Sequence, residues 1–174
     1  MVGATGSGAG GAGRRRRVSQ VLILAVGHKP PAWVSEACAD YLGRFGRRLK
    51  VELREIPPAR RGPGGGAAAL AQEGAKLLGA LPEGAFPVLL EPRGQMFDSP
   101  GLADALSGWL MRGSPLALLI GGADGFGPQM LARAPTRWSL SALTFPHMLA
   151  RVMVLEQLYR AFSLLHNLPY HREH

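Results

Sequence analysis

A run of five consecutive apolar residues, Leu116–Ile120, followed at once by Gly121 and Gly122, constrains the fold of this chain more than any other feature. A run of strand length without a polar residue is typical of a central strand in a parallel sheet that is covered on both faces. Apolar runs of the same kind occupy Gln20–Val26 and Phe86–Leu90. The sequence therefore predicts a mostly parallel sheet with helices on both faces.

Helical patterns separate these strands along the chain. Apolar residues at helical spacing predict helices over Trp33–Leu49, Ala67–Leu81, Pro128–Ala134 and Pro146–His166, and strands over Val51–Ile56 and Trp138–Leu140. Ser99-Pro100 has the composition of an N-cap followed by proline in the first turn, so it predicts a helix that runs to Met111. Strands that alternate with helices indicate right-handed βαβ crossovers and an α/β fold.

The chain divides into an extension, residues 1–19, and one domain, residues 20–174. Met1–Gly13 contains Gly, Ala, Ser and Thr with one valine, a composition typical of flexible coil. Arg14–Arg17 follows, and its function as an RNA-anchoring arm, a targeting peptide or a dispensable extension stays open. The whole chain has 174 residues, 47% of them hydrophobic, which is enough to bury a core without disulfides or metals.

Charge and cysteine content narrow the class of protein. Twenty Lys and Arg against twelve Asp and Glu give a net charge of +8, which favours a polyanionic partner such as nucleic acid. The single cysteine, Cys38, excludes a disulfide framework and a zinc ribbon within one chain, and the five histidines are too scattered to predict a metal site. No apolar run reaches the roughly 18 residues of a spanning helix, so we expect a cytoplasmic protein without a membrane partner.

Three segments that leave strand ends carry unusual residues: Leu90–Gly94, Ile120–Gly125 and Leu140–His147. In open α/β sheets, ligands bind outside the carboxyl ends of the strands. Glycines at Gly121 and Gly122 would permit positive φ angles and let a ligand approach the backbone closely. The sequence contains neither GxxxxGK[ST] nor GxGxxG, so the usual nucleotide-binding motifs do not explain these segments.

The C-terminal region carries the remaining candidate residues. His147 and Arg151 are four residues apart in the first turns of the last predicted helix. Tyr170, His171 and Arg172 then bring together an aromatic ring, a titratable ring and a guanidinium, a composition that stacks bases and binds phosphates. The alternative interpretation is a polar chain end without a function.

Several longer motifs resemble the RlmH family of the SPOUT superfamily. The resemblance covers Val21 to Glu173 and rests on AVGHKPPAWV, EIPPARRG, EGAKLL, LLIGGADG, WSLSALTFPHMLARVMVLEQLYRAF and PYHRE. Members of this family are S-adenosylmethionine-dependent methyltransferases that modify N3 of a pseudouridine in 23S ribosomal RNA, in the large subunit or the assembled ribosome. The resemblance implies a SPOUT-type α/β fold with a C-terminal trefoil knot, and a homodimer in which one subunit's tail completes the other's site.

The resemblance also assigns expected roles to individual residues. The cofactor walls would be Leu90, Gly121, Gly122, Leu140, Ser141, Ala142, Leu143, Thr144 and Phe145. RNA binding would fall to Tyr170 and Arg172, with Arg60 and Arg61 of the loop after the second strand. His171, Arg151 and His147 are the catalytic candidates, and His171 is the first choice for proton handling, although the proton acceptor stays open.

Two departures and two alternatives accompany this interpretation. The family core lacks the N-terminal extension, and Gly64–Ala69 is rich in Gly and Ala where charged residues are expected. A SPOUT methyltransferase acting on another RNA, such as transfer RNA, and a non-catalytic ribosome-binding factor are the alternatives. The intact Gly121-Gly122 segment and the PYHR tail speak against a decayed site.

The last predicted helix is apolar on more than one face. Its large apolar residues exceed a single stripe: Met148, Leu149, Val152, Met153, Leu155, Leu158, Tyr159, Phe162 and Leu165. A helix of this kind needs cover on two sides, and one sheet supplies only one of them. A two-fold interface with a second copy of the chain would supply the other.

Overall fold

A computed structural model describes residues 20–62 and 65–172 of the chain. The predicted extension, residues 1–19, lies outside the described residues, so the division of the chain at residue 20 stays a prediction. The side chains of His171 and Arg172 also lie outside the description.

Within the described ranges, five parallel strands form one sheet in the order β2-β1-β4-β3-β5. The elements are β1 Gln20–Val26, α1 Ala32–Arg44, β2 Lys50–Ile56, α2 Gly65–Ala80, β3 Phe86–Met96, α3 Ser99–Leu110, β4 Leu116–Ile120, α4 Pro128–Arg133, β5 Arg137–Ser139, α5 His147–Leu165 and a 3-10 turn at Pro169–Arg172. The predicted α/β class with a parallel sheet is confirmed, and the trefoil knot stays a prediction.

The two faces of the sheet bury two separate apolar clusters. Val21, Ile23 and Ala25 of β1 face the cluster that holds α1, α3 and α5. The alternate residues Leu22 and Leu24 face the second cluster, which holds α2 and α4. Because successive strand residues point to opposite faces, one strand supplies both clusters. All five residues of β4 are likewise buried, as the apolar run predicts.

Most element boundaries differ by one or more residues from those that the sequence predicts, and three of the differences have a clear local reason. Helix α1 ends at Arg44 rather than Leu49, because Gly46 adopts a left-handed φ of 61° that ends a right-handed helix. Asp98, not Ser99, caps α3: its Oδ1 accepts a hydrogen bond from the backbone N–H of Gly101 at 2.8 Å. Strand β3 continues past a bulge, so that Gln95 pairs with β5.

Candidate active site

The bulge of β3 and the carboxyl ends of β4 and β5 enclose a cavity of about 200 Å³. The cavity lies where the sequence places its three unusual segments, and its walls are mostly backbone and small or apolar side chains. Its lining residues are Leu90, Glu91, Pro92, Ile120, Gly121, Gly122, Ala123, Gly125, Trp138, Ser139, Leu140, Ser141, Leu143, Thr144, Phe145, His147 and Ala150.

Eight of the nine predicted cofactor residues share this cavity, and Ala142 is the exception. His147, a catalytic candidate, lines the same wall. The role of these residues in cofactor binding stays a prediction, but the structure brings together segments that are up to 57 residues apart in the chain, from Leu90 to His147.

The Gly121–Gly125 turn owes its glycines to its own packing. The backbone N–H of Gly125 donates to the carbonyl of Gly122 at 3.0 Å. A Cβ on Gly121 would lie 2.7 Å from the backbone oxygen of Gly125, so a side chain there would force the turn open. Neither Gly121 nor Gly122 adopts the positive φ angle that glycine permits; the left-handed residue of the turn is Gly125, at 75°.

Gly122 separates the cavity from a buried carboxylate. A Cβ on Gly122 would lie 2.5 Å from Oε2 of Glu73 and 3.2 Å from Cγ1 of Val26. Glu73 belongs to α2 and is 9% exposed. The space beside Gly122 is therefore filled by Glu73 and Val26, on the side away from the cavity.

Two serine side chains hydrogen-bond to the backbone of the loop between β5 and α5. The backbone N–H of Leu143 donates to Oγ of Ser141 at 2.9 Å, and Oγ of Ser139 donates to the Ser141 carbonyl at 2.9 Å. Such serine–backbone turns fix a loop without regular secondary structure. The Leu143 side chain stays 73% exposed at the cavity mouth.

The bulge of β3 adds an acidic residue to the cavity wall. Glu91 accepts a hydrogen bond from the backbone N–H of Arg93 at 3.1 Å. A Cβ on Gly94 would lie 2.7 Å from the backbone of Trp138, so the bulge can lie against β5 only because that residue is glycine. The sequence marks Leu90–Gly94 as a candidate segment, yet it gives no reason to select Glu91 within it.

Arg151 does not share the cavity with His147. Its side chain is fully buried, and its Nη1 lies 3.3 Å from Oε1 of Glu55 on β2. A Cβ on Gly27 would overlap Nη2, so the glycine after β1 makes room for the guanidinium. Among the described residues, Nε and Nη2 have no hydrogen-bond partner. His147 and Arg151 are therefore neighbours on one helix but lie in different environments.

Cys38 lies near this ion pair and is buried, as the sequence predicts. Burial raises the pKa of its thiol, and the nearby Arg151 guanidinium opposes that rise in part. A thiol with a raised pKa holds little of the reactive thiolate at neutral pH.

Tyr170 is held against α1 and α5 of its own chain. Its hydroxyl donates to Oε1 of Glu156 at 3.0 Å and lies 3.2 Å from the hydroxyl of Tyr41. Its ring meets the edge of Tyr159 at 4.9 Å between centroids. Burial, followed by the hydrogen bonds to Tyr41 and Glu156, raises the pKa of Tyr170 above its ordinary value. Glu156 also forms an ion pair with Arg160, whose Nε lies 3.0 Å from Oε1 of Glu156.

The tail lies away from the cavity of the same chain. Glu156, which Tyr170 contacts, follows His147 by nine residues along α5. Nine residues make about two and a half helical turns and about 13.5 Å of axial rise, so the two side chains leave opposite faces of the helix.

The basic loop after β2 contacts the glycine turn from outside. Nη2 of Arg61 lies 2.8 Å from Oδ2 of Asp124, and both side chains are exposed by more than a third. Arg60 is exposed in the same loop. Over residues 20–62 and 65–172, no group of three or more His, Cys, Asp or Glu side chains could hold a metal ion. None of the helices described is long and apolar enough to cross a membrane.

A parallel α/β sheet with a cavity at its carboxyl edge defines the class of small-ligand-binding α/β proteins. Comparison with known proteins narrows this class. The model of a family described as predicted SPOUT methyltransferase matches residues 20–171, and the chain belongs to that family.

Similar proteins include three named ribosomal RNA large subunit methyltransferase H. The protein of Alkalilimnicola ehrlichii is 50% identical over 154 residues, that of Ralstonia nicotianae is 48% identical, and that of Neisseria meningitidis serogroup A is 47% identical. Each comparison covers 88% of this chain and 99% of the relative.

Proposed function

We propose that this chain is an S-adenosylmethionine-dependent methyltransferase that methylates N3 of a pseudouridine in 23S ribosomal RNA of the large subunit. The observation that carries the proposal is the cavity at the bulge of β3 and the ends of β4 and β5, which gathers eight predicted cofactor residues and His147. The relatives named as large-subunit ribosomal RNA methyltransferases, which match 88% of the chain, support the RNA substrate.

The cavity has the chemistry that this cofactor requires. Leu90, Ile120 and Phe145 offer apolar surface for an adenine ring, and the Gly121–Gly125 turn and the β5–α5 loop offer backbone donors and acceptors. The carboxylate of Glu91 favours a cationic ligand in the same wall. When bound, S-adenosylmethionine supplies a methyl group that its sulfonium already activates.

The residues of the chain then have two tasks, to orient the RNA base and to take the proton of N3. His147 is a titratable side chain in the cavity wall and can approach a bound base. Arg151 is fully buried and does not line the cavity, so we assign it a positioning role. Tyr170 keeps its proton, because its pKa is raised, and serves as a hydrogen-bond donor rather than a base. His171 remains the other candidate for the proton acceptor.

A two-fold dimer would bring the tail to a cavity. Tyr170 lies on the face of α5 opposite His147, which supports a tail that reaches the partner's site rather than its own. No residue of α5 from His147 to Leu164 is fully exposed, and Leu149 and Met153 are only half-buried in one chain. An isologous contact along α5 would cover these side chains.

The test is methyl transfer to defined RNA substrates in vitro. The purified protein is incubated with S-adenosylmethionine and, separately, with large subunits, assembled ribosomes, free 23S RNA and transfer RNA from cells that lack the gene. Mass spectrometry of digested RNA should find one new N3-methylated pseudouridine in 23S RNA. Methylation of transfer RNA alone would overturn the substrate, and no methylation of any RNA would overturn the activity.

A further inference from the structure

Glu73 is a buried carboxylate that contacts two functional segments. Its Oε1 accepts a hydrogen bond from the backbone N–H of Ala59 at 3.0 Å, in the basic loop formed by residues 57–62. Its Oε2 packs behind Gly122, which lines the cavity. A carboxylate taken out of water is costly to leave without partners, so both contacts constrain where this side chain can lie.

A second residue of α2 contacts the same loop. Nζ of Lys76, three residues after Glu73, donates to the carbonyl of Pro57 at 2.8 Å. Helix α2 therefore holds the basic loop at Pro57 and Ala59 while its Glu73 side chain supports the glycine turn. A shift of either the basic loop or the glycine turn would therefore displace the Glu73 side chain.

The loop and the turn are joined by another contact, between Arg61 and Asp124. These side chains are 61% and 39% exposed, and exposed ion pairs contribute little to stability. Hydrogen bonds to a charged group in a buried setting are stronger. Of the two connections, we therefore expect the buried one through Glu73 to dominate.

We propose that Glu73 is a positioning residue that couples the order of the basic loop, residues 57–62, to occupancy of the cavity bounded by Gly122. The inference rests on the proposed function, because it assigns the cofactor to that cavity and RNA contacts to Arg60 and Arg61. Coupling between two sites is reciprocal, so a ligand that fixes the turn orders the loop, and an ordered loop favours the ligand by the same factor.

The experiment measures two quantities with S-adenosylhomocysteine as the probe. Calorimetry gives its Kd, and hydrogen exchange gives the protection of the Ala59 amide with and without the probe. In the wild type, the probe should slow exchange at Ala59. Glu73→Ala should speed that exchange, abolish the response to the probe, and raise the Kd about tenfold.

Conservative and control variants separate positioning from general damage. Glu73→Gln keeps an oxygen acceptor of the same size, so it should restore most of the Ala59 protection and affinity. Gly122→Ala places a Cβ against Oε2 of Glu73 and should reproduce the loss of coupling from the other side. Asp124→Asn breaks only the exposed pair, and Glu83→Gln changes an exposed carboxylate; both should resemble the wild type.

The outcomes distinguish this inference from the proposed function. A folded Glu73→Ala protein with wild-type Kd and wild-type exchange at Ala59 would overturn the coupling and leave the methyltransferase proposal intact. If the wild type binds no S-adenosylhomocysteine, the assigned cofactor site fails and the coupling fails with it. If Glu73→Ala does not fold, Gly122→Ala decides, since unchanged exchange at Ala59 in that variant contradicts the inference.

Discussion

The cavity at the start of α5 is enclosed by main chain and small or apolar groups. Tyr170, which packs against Glu156 near the middle of the same helix, lies instead in a network of polar side chains. At the cavity, the spacing of backbone atoms decides what fits, because Gly121 lies against the backbone of Gly125 in its own turn and Gly94 against the backbone of β5. Around Tyr170, hydrogen bonds and charge decide the geometry. Volume changes should therefore damage the first region most, and changes of polar groups the second.

Gly121→Val should produce the largest effect. The valine Cβ would meet the backbone of Gly125, which cannot rotate away as a side chain can. We expect binding of S-adenosylhomocysteine to weaken about a hundredfold, or about 2.7 kcal/mol, with the helical circular dichroism unchanged. Calorimetry on the folded variant measures the loss, and near-normal affinity would show that this turn does not form the binding wall.

Gly122→Val, by contrast, directs its side chain toward Glu73 rather than into the cavity. Displacement of Glu73 should cost about as much affinity as Glu73→Ala, about tenfold, so the expected loss is smaller than that of Gly121→Val. Equal losses for the two variants would mean that both glycines contact the ligand directly.

Mixed dimers test whether the two regions meet across subunits. Gly121→Val impairs the cavity and Arg172→Ala impairs the tail, so each variant alone should be inactive. Subunit exchange at equal concentrations should restore about a quarter of wild-type methyl transfer, because half of the dimers carry one intact composite site. Sedimentation confirms the dimer, and exchange without recovered activity would place both regions of the site within one chain.

Tyr170→Phe should have a smaller effect, and this effect should be on the free energy of unfolding. It removes the hydrogen bond to Glu156, which is worth about 1.5 kcal/mol of the free energy of unfolding, the low end for a charged acceptor, because Tyr170 is only half-buried. The native pKa of Tyr170 is raised, so the bound proton stabilises the fold below its ordinary pKa of 10.0, and this stability is lost as pH rises above that value. Urea unfolding at pH 8 and pH 11 should show the gap between wild type and variant narrowing at the higher pH.

Asp124→Asn should have the smallest effect. It breaks an exposed ion pair with Arg61, so the free energy of unfolding should fall by less than about 1 kcal/mol and the change should vanish in high salt. Urea titrations at low and high ionic strength measure it. A loss that salt does not screen would indicate that Asp124 supports the glycine turn in another way.

The sequence allows the strand ends to be located because they are encoded locally. The apolar run of β4 and the glycines after it mark the cavity without knowledge of any distant contact. The same holds for Cys38, whose place in an apolar helical pattern predicts its burial.

Contacts between distant residues could not be obtained in this way. Arg151 meets Glu55 across 96 positions, so its separation from His147 depends on how α5 lies on the sheet. Strand β3 extends past Leu90 because Gln95 finds a partner on β5, which no local pattern announces. Glu73 looks like an ordinary solvent-facing residue of a helix until the turn beneath Gly122 covers it.

The strand order also determines when each edge of β1 can pair during synthesis of the chain. One edge of β1 pairs with β2 soon after both emerge, but the other edge pairs with β4, and Val21 meets Leu116, 95 positions later. At about 5–20 residues per second, this apolar edge waits roughly 5–20 s for its partner. An unpaired hydrophobic edge is a template for aggregation, so nascent chains need protection over that interval. The unpaired edge of β1 is therefore a site of possible aggregation while the chain is still being synthesised.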